Sequence, residues 1–178
     1  MIKVFRIVCS LFLVASMCTA LTGCISEPPS LESVEEHFQK NREDIQIVVD
    51  FLVGRECPHI YIDEADGTMR EDLETVEIED EGVNKAIKRL LGRSILGEQQ
   101  YKNISRERNT ILLGQWHGSM DIGAGIGLSV NGEDLPYPYY CTEIVSMSEP
   151  GWYYYVEDYN AWRVGKRPDV EGLITPPS

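Results

Sequence analysis

His117, Ser119 and Asp121 are the residue types of a serine hydrolase, spaced two apart in one stretch of the chain. In that chemistry the serine hydroxyl attacks, the imidazole takes its proton and the carboxylate orients the imidazole. Alternate residues of an extended chain point to the same side, so none of the three approaches another from separate structure. The chain also lacks the Gly-x-Ser-x-Gly turn that constrains such a serine. The spacing therefore does not favour a hydrolase triad, and we predict no catalytic residue.

Cys57 and Cys141 are the cysteines that remain once residues 1–24 are set apart. Two cysteines in an oxidising space either pair in a disulfide or stay as buried free thiols, and both alternatives remain open. Cys141 with His59 or His117 also has the residue types of a thiol nucleophile, which a disulfide would abolish. Three histidines without a His-Glu-x-x-His pattern do not indicate a zinc site, and we expect neither a metal nor a cofactor.

Gly123, Gly125 and Gly127 alternate with apolar residues and share one face of a predicted strand. A phosphate-binding glycine pattern requires a turn from strand to helix, and no helix pattern follows these glycines. A sheet face without side chains instead admits a close neighbour, which would be a helix, a ring such as Trp116, or a ligand. We predict close packing over this face.

The acidic stretch 63–67 has the composition of part of a calcium loop. If Gly67 were the invariant glycine of such a loop, the first and last ligand positions would be Ile62 and Leu73. These apolar side chains do not bind calcium, so we predict a solvated turn.

The largest group of potential ligand-binding side chains is aromatic and lies between residues 137 and 162. It consists of Tyr137, Tyr139, Tyr140, Trp152, Tyr153, Tyr154, Tyr155, Tyr159 and Trp162. Strand alternation sends the consecutive rings 152–155 to both faces of a sheet, so one core does not hold all of them. The candidate ligand surface, for glycan or a partner protein, consists of Tyr140, Trp152, Tyr153 and Tyr155. The alternative is a strand of bulky residues that closes the domain.

The elements that must position these side chains follow from periodicity. Apolar residues at helical spacing predict a long helix over 31–53 and a second amphipathic helix over 80–92. Short runs of strand formers lie at 59–63 and 75–78, and alternating runs separated by turn residues follow from residue 101 on. Helices segregated from such strands indicate an α+β fold, with both helices packed on a mostly antiparallel β-meander.

The chain is strongly acidic, with 29 acidic and 16 basic residues and a formal charge of −13. Removal of residues 1–23, which hold Lys3 and Arg6, makes the formal charge −15. Such a surface repels phosphate backbones, so we exclude nucleic acid as a partner. The acidity fits a basic protein partner, whose association would weaken with salt, or a cation, or solubility alone.

Residues 1–23 have the features of an export leader, because basic residues precede an uncharged stretch from Ile7 to Ser26. Leu21-Thr22-Gly23-Cys24 resembles the bacterial lipobox, and in this respect the chain is similar to bacterial lipoproteins. The resemblance implies cleavage before Cys24, a diacylglyceryl group on that cysteine and attachment to the extracytoplasmic face of the cell membrane. An uncleaved membrane anchor and an ordinary secretion signal remain alternatives.

The lipobox and the predicted elements divide the chain into a leader over 1–23, a short tether over 24–30, one domain over 31–163 and a tail over 164–178. We predict disorder for the tail, because its proline and glycine residues have nothing to pack against. A segment from Asn131 to Arg163 resembles one found in small uncharacterised bacterial proteins. Its most similar parts are Pro150-Gly151-Trp152-Tyr153-Tyr154-Tyr155 and Glu157-Asp158-Tyr159-Asn160-Ala161-Trp162. That resemblance implies no activity.

These observations together predict a membrane-anchored, extracytoplasmic lipoprotein that acts as a non-catalytic binding domain. One alternative is a carbohydrate-binding surface protein that uses the aromatic residues between 137 and 162. The other alternative is a hydrolase of envelope material, which would need His117, Asp121 or His59 in a concave site.

Overall fold

The structure is a computed structural model that describes residues 27–92, 101–119, 121–132 and 135–173. The predicted leader and Cys24 lie outside these residues. Two long helices lie on one face of an eight-stranded sheet in which all neighbouring strands pair antiparallel. The predicted α+β fold is confirmed.

Helix α1 spans Leu31–Val53 and helix α2 spans Glu81–Leu91. Ser30 caps α1, because its hydroxyl oxygen accepts a hydrogen bond from the Ser33 backbone N–H at 3.3 Å. The Asp80 carboxylate caps α2 in the same way. Both helices match the predicted bounds, since each carries one continuous apolar face that packs on the sheet.

The sheet contains eight strands, and a short third helix follows the last of them. The strands are β1 (His59–Ile62), β2 (Thr68–Glu71), β3 (Glu74–Glu77), β4 (Asn103–Glu107), β5 (Thr110–Ser119), β6 (Ile122–Ser129), β7 (Cys141–Ser146) and β8 (Trp152–Asp158). Helix α3 spans Tyr159–Arg163. In space the strands follow the order β3-β2-β1-β4-β5-β6-β8-β7.

The strand order departs from a simple meander at two places, because β4 pairs with β1 instead of β3 and β6 pairs with β8 instead of β7. Strand β8 lies between β6 and β7, so β6 and β7 run parallel to each other. The chain must therefore return along the sheet between these two strands, and residues 135–140, the crossover segment, form the last part of this return. Pro136 and Pro138 lack backbone N–H groups, which suits a segment outside the strand ladder. Pro136 lies directly over Gly127 of β6.

The two faces of the sheet differ in how they are covered. The face under the helices carries the main hydrophobic core, which includes Phe38, Leu52, Ile104, Leu113 and Ile126. The other face, called the open face, has a smaller described cluster made of Cys141, Ile144 and Tyr155 with a few half-buried neighbours. Full burial of an aliphatic or aromatic side chain contributes about 1.5–3 kcal/mol, so the helix-covered face supplies most of the stability.

The segment that follows α3 contacts the open face. The Tyr153 hydroxyl donates a hydrogen bond to the Leu173 carbonyl oxygen at 3.0 Å, and the Leu173 side chain packs against the Tyr155 cluster. The Arg167 guanidinium carbon lies 4.3 Å from the Trp162 ring centroid. Disorder from residue 164 was predicted from a lack of packing partners and stays a prediction, although Leu173 has such partners on the open face. Residues 174–178 lie outside the described residues.

Candidate ligand-binding site

The open face contains a cleft of about 580 Å³, with β1 and β4 on one side and the crossover segment on the other. We call it the open-face cleft. Thr110 and His117, seven residues apart on β5, both line it, as do Tyr61 of β1 and Tyr139 of the crossover segment. Its volume falls in the range of pockets that bind small ligands.

Gly114 lines the open-face cleft without adding a side chain to it. Gly114 of β5 pairs with Gly125 of β6, and neither adds a side chain to the open face. Tyr155 fills the space over Gly125, where a Cβ would stand 2.6 Å from the tyrosine hydroxyl oxygen. Close packing over the glycine face is therefore confirmed, with Tyr155 and Pro136 as the neighbours. Trp116 lies on the other face, against the main core.

One wall of the open-face cleft is polar and held in place. The Tyr61 hydroxyl and the Asn103 side chain form a hydrogen bond between β1 and β4. The Arg70 guanidinium carbon lies 4.6 Å from the Tyr61 ring centroid. Burial and the Asp63 carboxylate raise the pKa of Tyr61, so its hydroxyl stays neutral. Ser105 adds a second hydroxyl group, and the wall thus presents neutral polar groups in fixed positions.

His117 and Glu157 flank Gly123 at one end of the open-face cleft. A Cβ on Gly123 would stand 2.9 Å from a Glu157 carboxylate oxygen and 3.7 Å from the His117 ring carbon Cε1. Desolvation raises the pKa of Glu157. Desolvation and the Lys102 ammonium lower the pKa of His117. Each shift favours the neutral form of its side chain. We call this row of three residues the sill.

Cys57 and Cys141 are free thiols, which was one of the two alternatives. Cys57 precedes β1 and Cys141 begins β7, five strand spacings away at about 4.8 Å each. A disulfide requires Cα atoms within about 7 Å, so these two cysteines do not pair within the chain. Burial raises the pKa of Cys141 to about 12, and its thiol donates to the Glu143 carbonyl oxygen at 3.0 Å. A protonated, buried thiol does not serve as the nucleophile considered from the sequence.

The four aromatics of the predicted ligand surface do not form one exposed surface. Trp152 packs against Phe38 in the main core, with ring centroids 4.9 Å apart. Tyr155 is 4% exposed, and Tyr153 is half-buried. Tyr140, at 40%, is the exposed member of the four. The prediction is wrong for Trp152 and Tyr155, because strand alternation buries the first under a helix and Gly125 lets the second settle onto the sheet.

A different group of rings lies beside the sill. Tyr140 contacts Tyr139, Tyr159 and Trp162, with ring centroids 4.9–5.2 Å apart. We call these four residues the ring cluster. All of them lie within the aromatic stretch 137–162, but their meeting depends on the crossover segment and on α3, for which no periodic pattern exists in the sequence.

The residues considered for hydrolysis are only partly brought together. His117 lines the open-face cleft, and with Asp121 it lines a second hollow beside the sill. His59 lies at the opposite end of the strands, paired with Glu107. Nothing is described for the Ser119 side chain. Glu157, which no sequence motif singles out, is an ionisable group beside His117.

The acidic stretch 63–67 forms a turn, as predicted. The Asp66 carboxylate accepts hydrogen bonds from the backbone N–H and the hydroxyl of Thr68, and Gly67 has a φ of 93°. Asp63 pairs with Arg70 at 2.9 Å. Within the described ranges, no three His, Cys, Asp or Glu side chains are grouped so that they could hold a metal ion.

The predicted lipid anchor falls on Cys24, outside the described residues, and stays a prediction. In the part of the chain that the structure describes, no helix combines the length and the apolar character needed to cross a membrane. No protein-family model, no curated protein and no solved structure matches this chain. The geometry of the open-face cleft is therefore the basis on which function must be inferred.

Proposed function

We propose that the chain is a membrane-anchored, extracytoplasmic binding protein without catalytic activity, and that its ligand is a glycan held in the open-face cleft. One observation carries this proposal. A single cleft of about 580 Å³ combines neutral polar side chains on one wall with tyrosine rings on the opposite rim.

Both walls suit the two kinds of surface that a sugar presents, namely hydroxyl groups at its edges and C–H groups on its faces. Tyr61, Asn103 and Ser105 supply hydrogen-bond donors and acceptors for hydroxyl groups. Tyr137 and Tyr139 are 37% and 74% exposed and offer ring surface to C–H groups. Both tyrosines belong to the crossover segment, whose prolines already restrict the backbone. Binding therefore costs little additional conformational entropy.

The ligand we expect is uncharged. Glu107 and Glu157 share the cleft with Arg108, and most of the other lining residues are uncharged, so the acidic surplus of the chain is not concentrated there. An anionic ligand would meet the field of a chain with a formal charge of −13. A basic protein, the alternative partner, would be recognised by a charged surface, and this cleft is lined mainly by neutral groups.

The segment that connects the domain to a lipid on Cys24 would start on the face opposite the open-face cleft. The Tyr154 hydroxyl donates to the Pro29 carbonyl oxygen at 2.8 Å. Tyr154 belongs to the helix-covered core, whereas Tyr153 and Tyr155 point to the open face. Five residues lead from Cys24 to Pro29, and each spans at most about 3.5 Å, so an anchored domain stays within roughly 18 Å of the membrane. The cleft would then face away from its own anchor.

Titration with neutral, anionic and cationic oligosaccharides tests the ligand class. With the full chain in detergent, we expect the neutral members to bind with an affinity that does not depend on salt. Binding of anionic members alone, or of none, contradicts the proposal. Salt-sensitive association with basic proteins, without any sugar binding, would instead support the protein-partner alternative.

Hydrolysis of an envelope glycan is the second candidate function, and Glu157 favours it. A carboxyl group with a raised pKa, placed beside an imidazole in a concave site, can donate a proton to a leaving oxygen. New reducing ends released from the same oligosaccharides, and lost in Glu157→Gln, would assign this activity. Oligosaccharides recovered intact after long incubation would leave binding as the function.

A further inference from the structure

We infer that the ligand is an extended chain of sugar units, whose far end crosses the sill and lies against the ring cluster in a second subsite. This inference rests on the glycan-binding function proposed for the open-face cleft, and it adds the size and the direction of the ligand. The continuity of two hollows, the fixed position of the rings and the length of the path support it.

A second hollow of about 270 Å³, called the end hollow, adjoins the open-face cleft. His117 and Glu157 line both spaces, so the sill is their common boundary. Gly123 lies between these two side chains and adds no side chain of its own. A ligand that leaves the cleft over the sill therefore enters the end hollow directly.

The ring cluster forms one side of the end hollow, and its rings are held before any ligand arrives. Tyr140 and Tyr159 line this hollow directly. The Tyr159 backbone N–H donates to the Asp121 carbonyl oxygen at 2.9 Å, which fixes the start of α3. Asp158 caps α3, the helix that carries Tyr159 and Trp162. Rings positioned in this way lose little conformational entropy on binding.

The ring cluster also keeps accessible surface. Tyr140, which lines the end hollow, is 40% exposed, and Tyr139, which lines the open-face cleft, is 74% exposed. Tyr140 meets its three neighbours at interplanar angles of 76–81°, so these rings do not cover one another face to face. Exposed ring surface beside hydrogen-bonding groups such as Asp121 repeats the chemistry of the open-face cleft.

The path is too long for one sugar ring. Thr110 and His117 of β5 both line the open-face cleft. Seven residues at about 3.3 Å each, shortened by the bulge between Gly114 and Trp116, give roughly 20 Å. The end hollow extends this path further. A single sugar would leave most of it empty, whereas a chain of several units would contact both walls and the ring cluster.

The dependence of affinity on chain length tests this inference. The probes are two neutral series of one to six units, β-1,4-linked N-acetylglucosamine and β-1,4-linked glucose, titrated against the full chain. We expect affinity to rise with length, and Tyr140→Ala, at a ring that lines the end hollow, to weaken the longest members about 5- to 30-fold while dimers bind unchanged. Tyr159→Ala, at the other ring that lines this hollow, should give the same pattern, which protects the test if Tyr140→Ala does not fold. Val164→Ala, at an exposed apolar neighbour outside the ring cluster, is the matched control.

The outcomes separate this inference from the function on which it rests. If affinity rises with length and the ring-cluster variants lose affinity only for the long oligosaccharides, the inference and the proposed function are both supported. In the second outcome, affinity stops rising at two units and the ring-cluster variants bind every length like the wild type. This result overturns the inference and leaves the proposed function in place. Failure of all members of both series to bind overturns the proposed function and the inference together.

Discussion

Tyr155 lies so close to Gly125 that a Cβ on the glycine would stand 2.6 Å from the tyrosine hydroxyl oxygen and 2.8 Å from the ring carbon Cζ. The two residues are direct partners between β6 and β8. Tyr155 is only 4% exposed although it belongs to the open face. The glycine therefore decides where this ring lies, and the ring in turn closes one side of the open-face cleft.

Gly125→Ala is expected to lower the free energy of unfolding by about 1 to 3 kcal/mol, because the new methyl group meets both Tyr155 and the Leu113 backbone carbonyl. Gly123→Ala is the matched control on the same strand. Its closest neighbour is the flexible Glu157 carboxylate, and the next is the Trp116 carbonyl oxygen at 3.5 Å, so we expect a clearly smaller loss. Urea denaturation measures both values, and equal losses would count against this packing.

Cys57 and Cys141 are expected to differ in reactivity. Cys141 is 1% exposed and burial raises its pKa to about 12, whereas Cys57 is half-buried. Iodoacetamide at mildly alkaline pH should therefore modify Cys57 of the folded chain well before Cys141. Urea without reductant should expose both to labelling. Mass spectrometry of a non-reduced digest provides the check, and a peptide pair linked through Cys57 and Cys141 would contradict the free-thiol structure.

His117 should make the stability of the fold depend on pH in the acid range. Desolvation and Lys102 lower its pKa in the folded chain, so the unfolded chain binds the proton more readily. The pKa of a histidine in the unfolded chain is about 6.5. Above this pH, His117 is neutral in both states and does not reduce the stability of the fold, and stability is lost as pH falls through this value. His117→Gln should flatten this decline in urea denaturation series. An unchanged slope would refute the effect.

Glu157 affects the pH dependence of stability with the opposite sign, so its contribution must be separated from that of His117. Desolvation raises its pKa in the folded chain, so its contribution favours folding in acid and is lost as pH rises through the folded value. The His117→Gln comparison is therefore made in the wild-type and in the Glu157→Gln background. The change in pH slope that His117→Gln produces should appear in both backgrounds.

The helices are predictable from the sequence, since apolar spacing and caps are local signals. Strand β2, Thr68–Glu71, is not, because Met69 is its one buried residue and four positions carry little alternation. The place of β8 beside β6 is also not predictable, because strand order depends on pairing between distant segments. Without that order, the path of the crossover segment over the open face is hidden as well.

The candidate site is predictable only in part for the same reason. Alternating glycines over 123–127 predict a bare strand face, but the identity of the covering ring, Tyr155, depends on the register between β6 and β8. The same register brings Glu157 opposite Gly123 and so beside His117. No local motif contains that information.

Cys24→Ser tests the predicted lipid anchor. Without the thiol that accepts the lipid, the protein should either leave the membrane fraction or keep its leader uncut. Fractionation of cells and the mass of the purified protein distinguish these results. Unchanged partitioning together with an unchanged processed mass would overturn the anchor.

The central claim, that the open-face cleft holds the ligand, is tested most directly by filling the cleft. Ser105→Trp adds an indole to the polar wall of the cleft, and Gln39→Trp adds the same group to the exposed side of α1. Both variants of the full chain are titrated with the N-acetylglucosamine hexamer after their melting temperatures are shown to match the wild type. We predict that Ser105→Trp weakens binding at least about tenfold, or 1.4 kcal/mol, while Gln39→Trp binds like the wild type. Hexamer binding of wild-type strength in Ser105→Trp would contradict the claim.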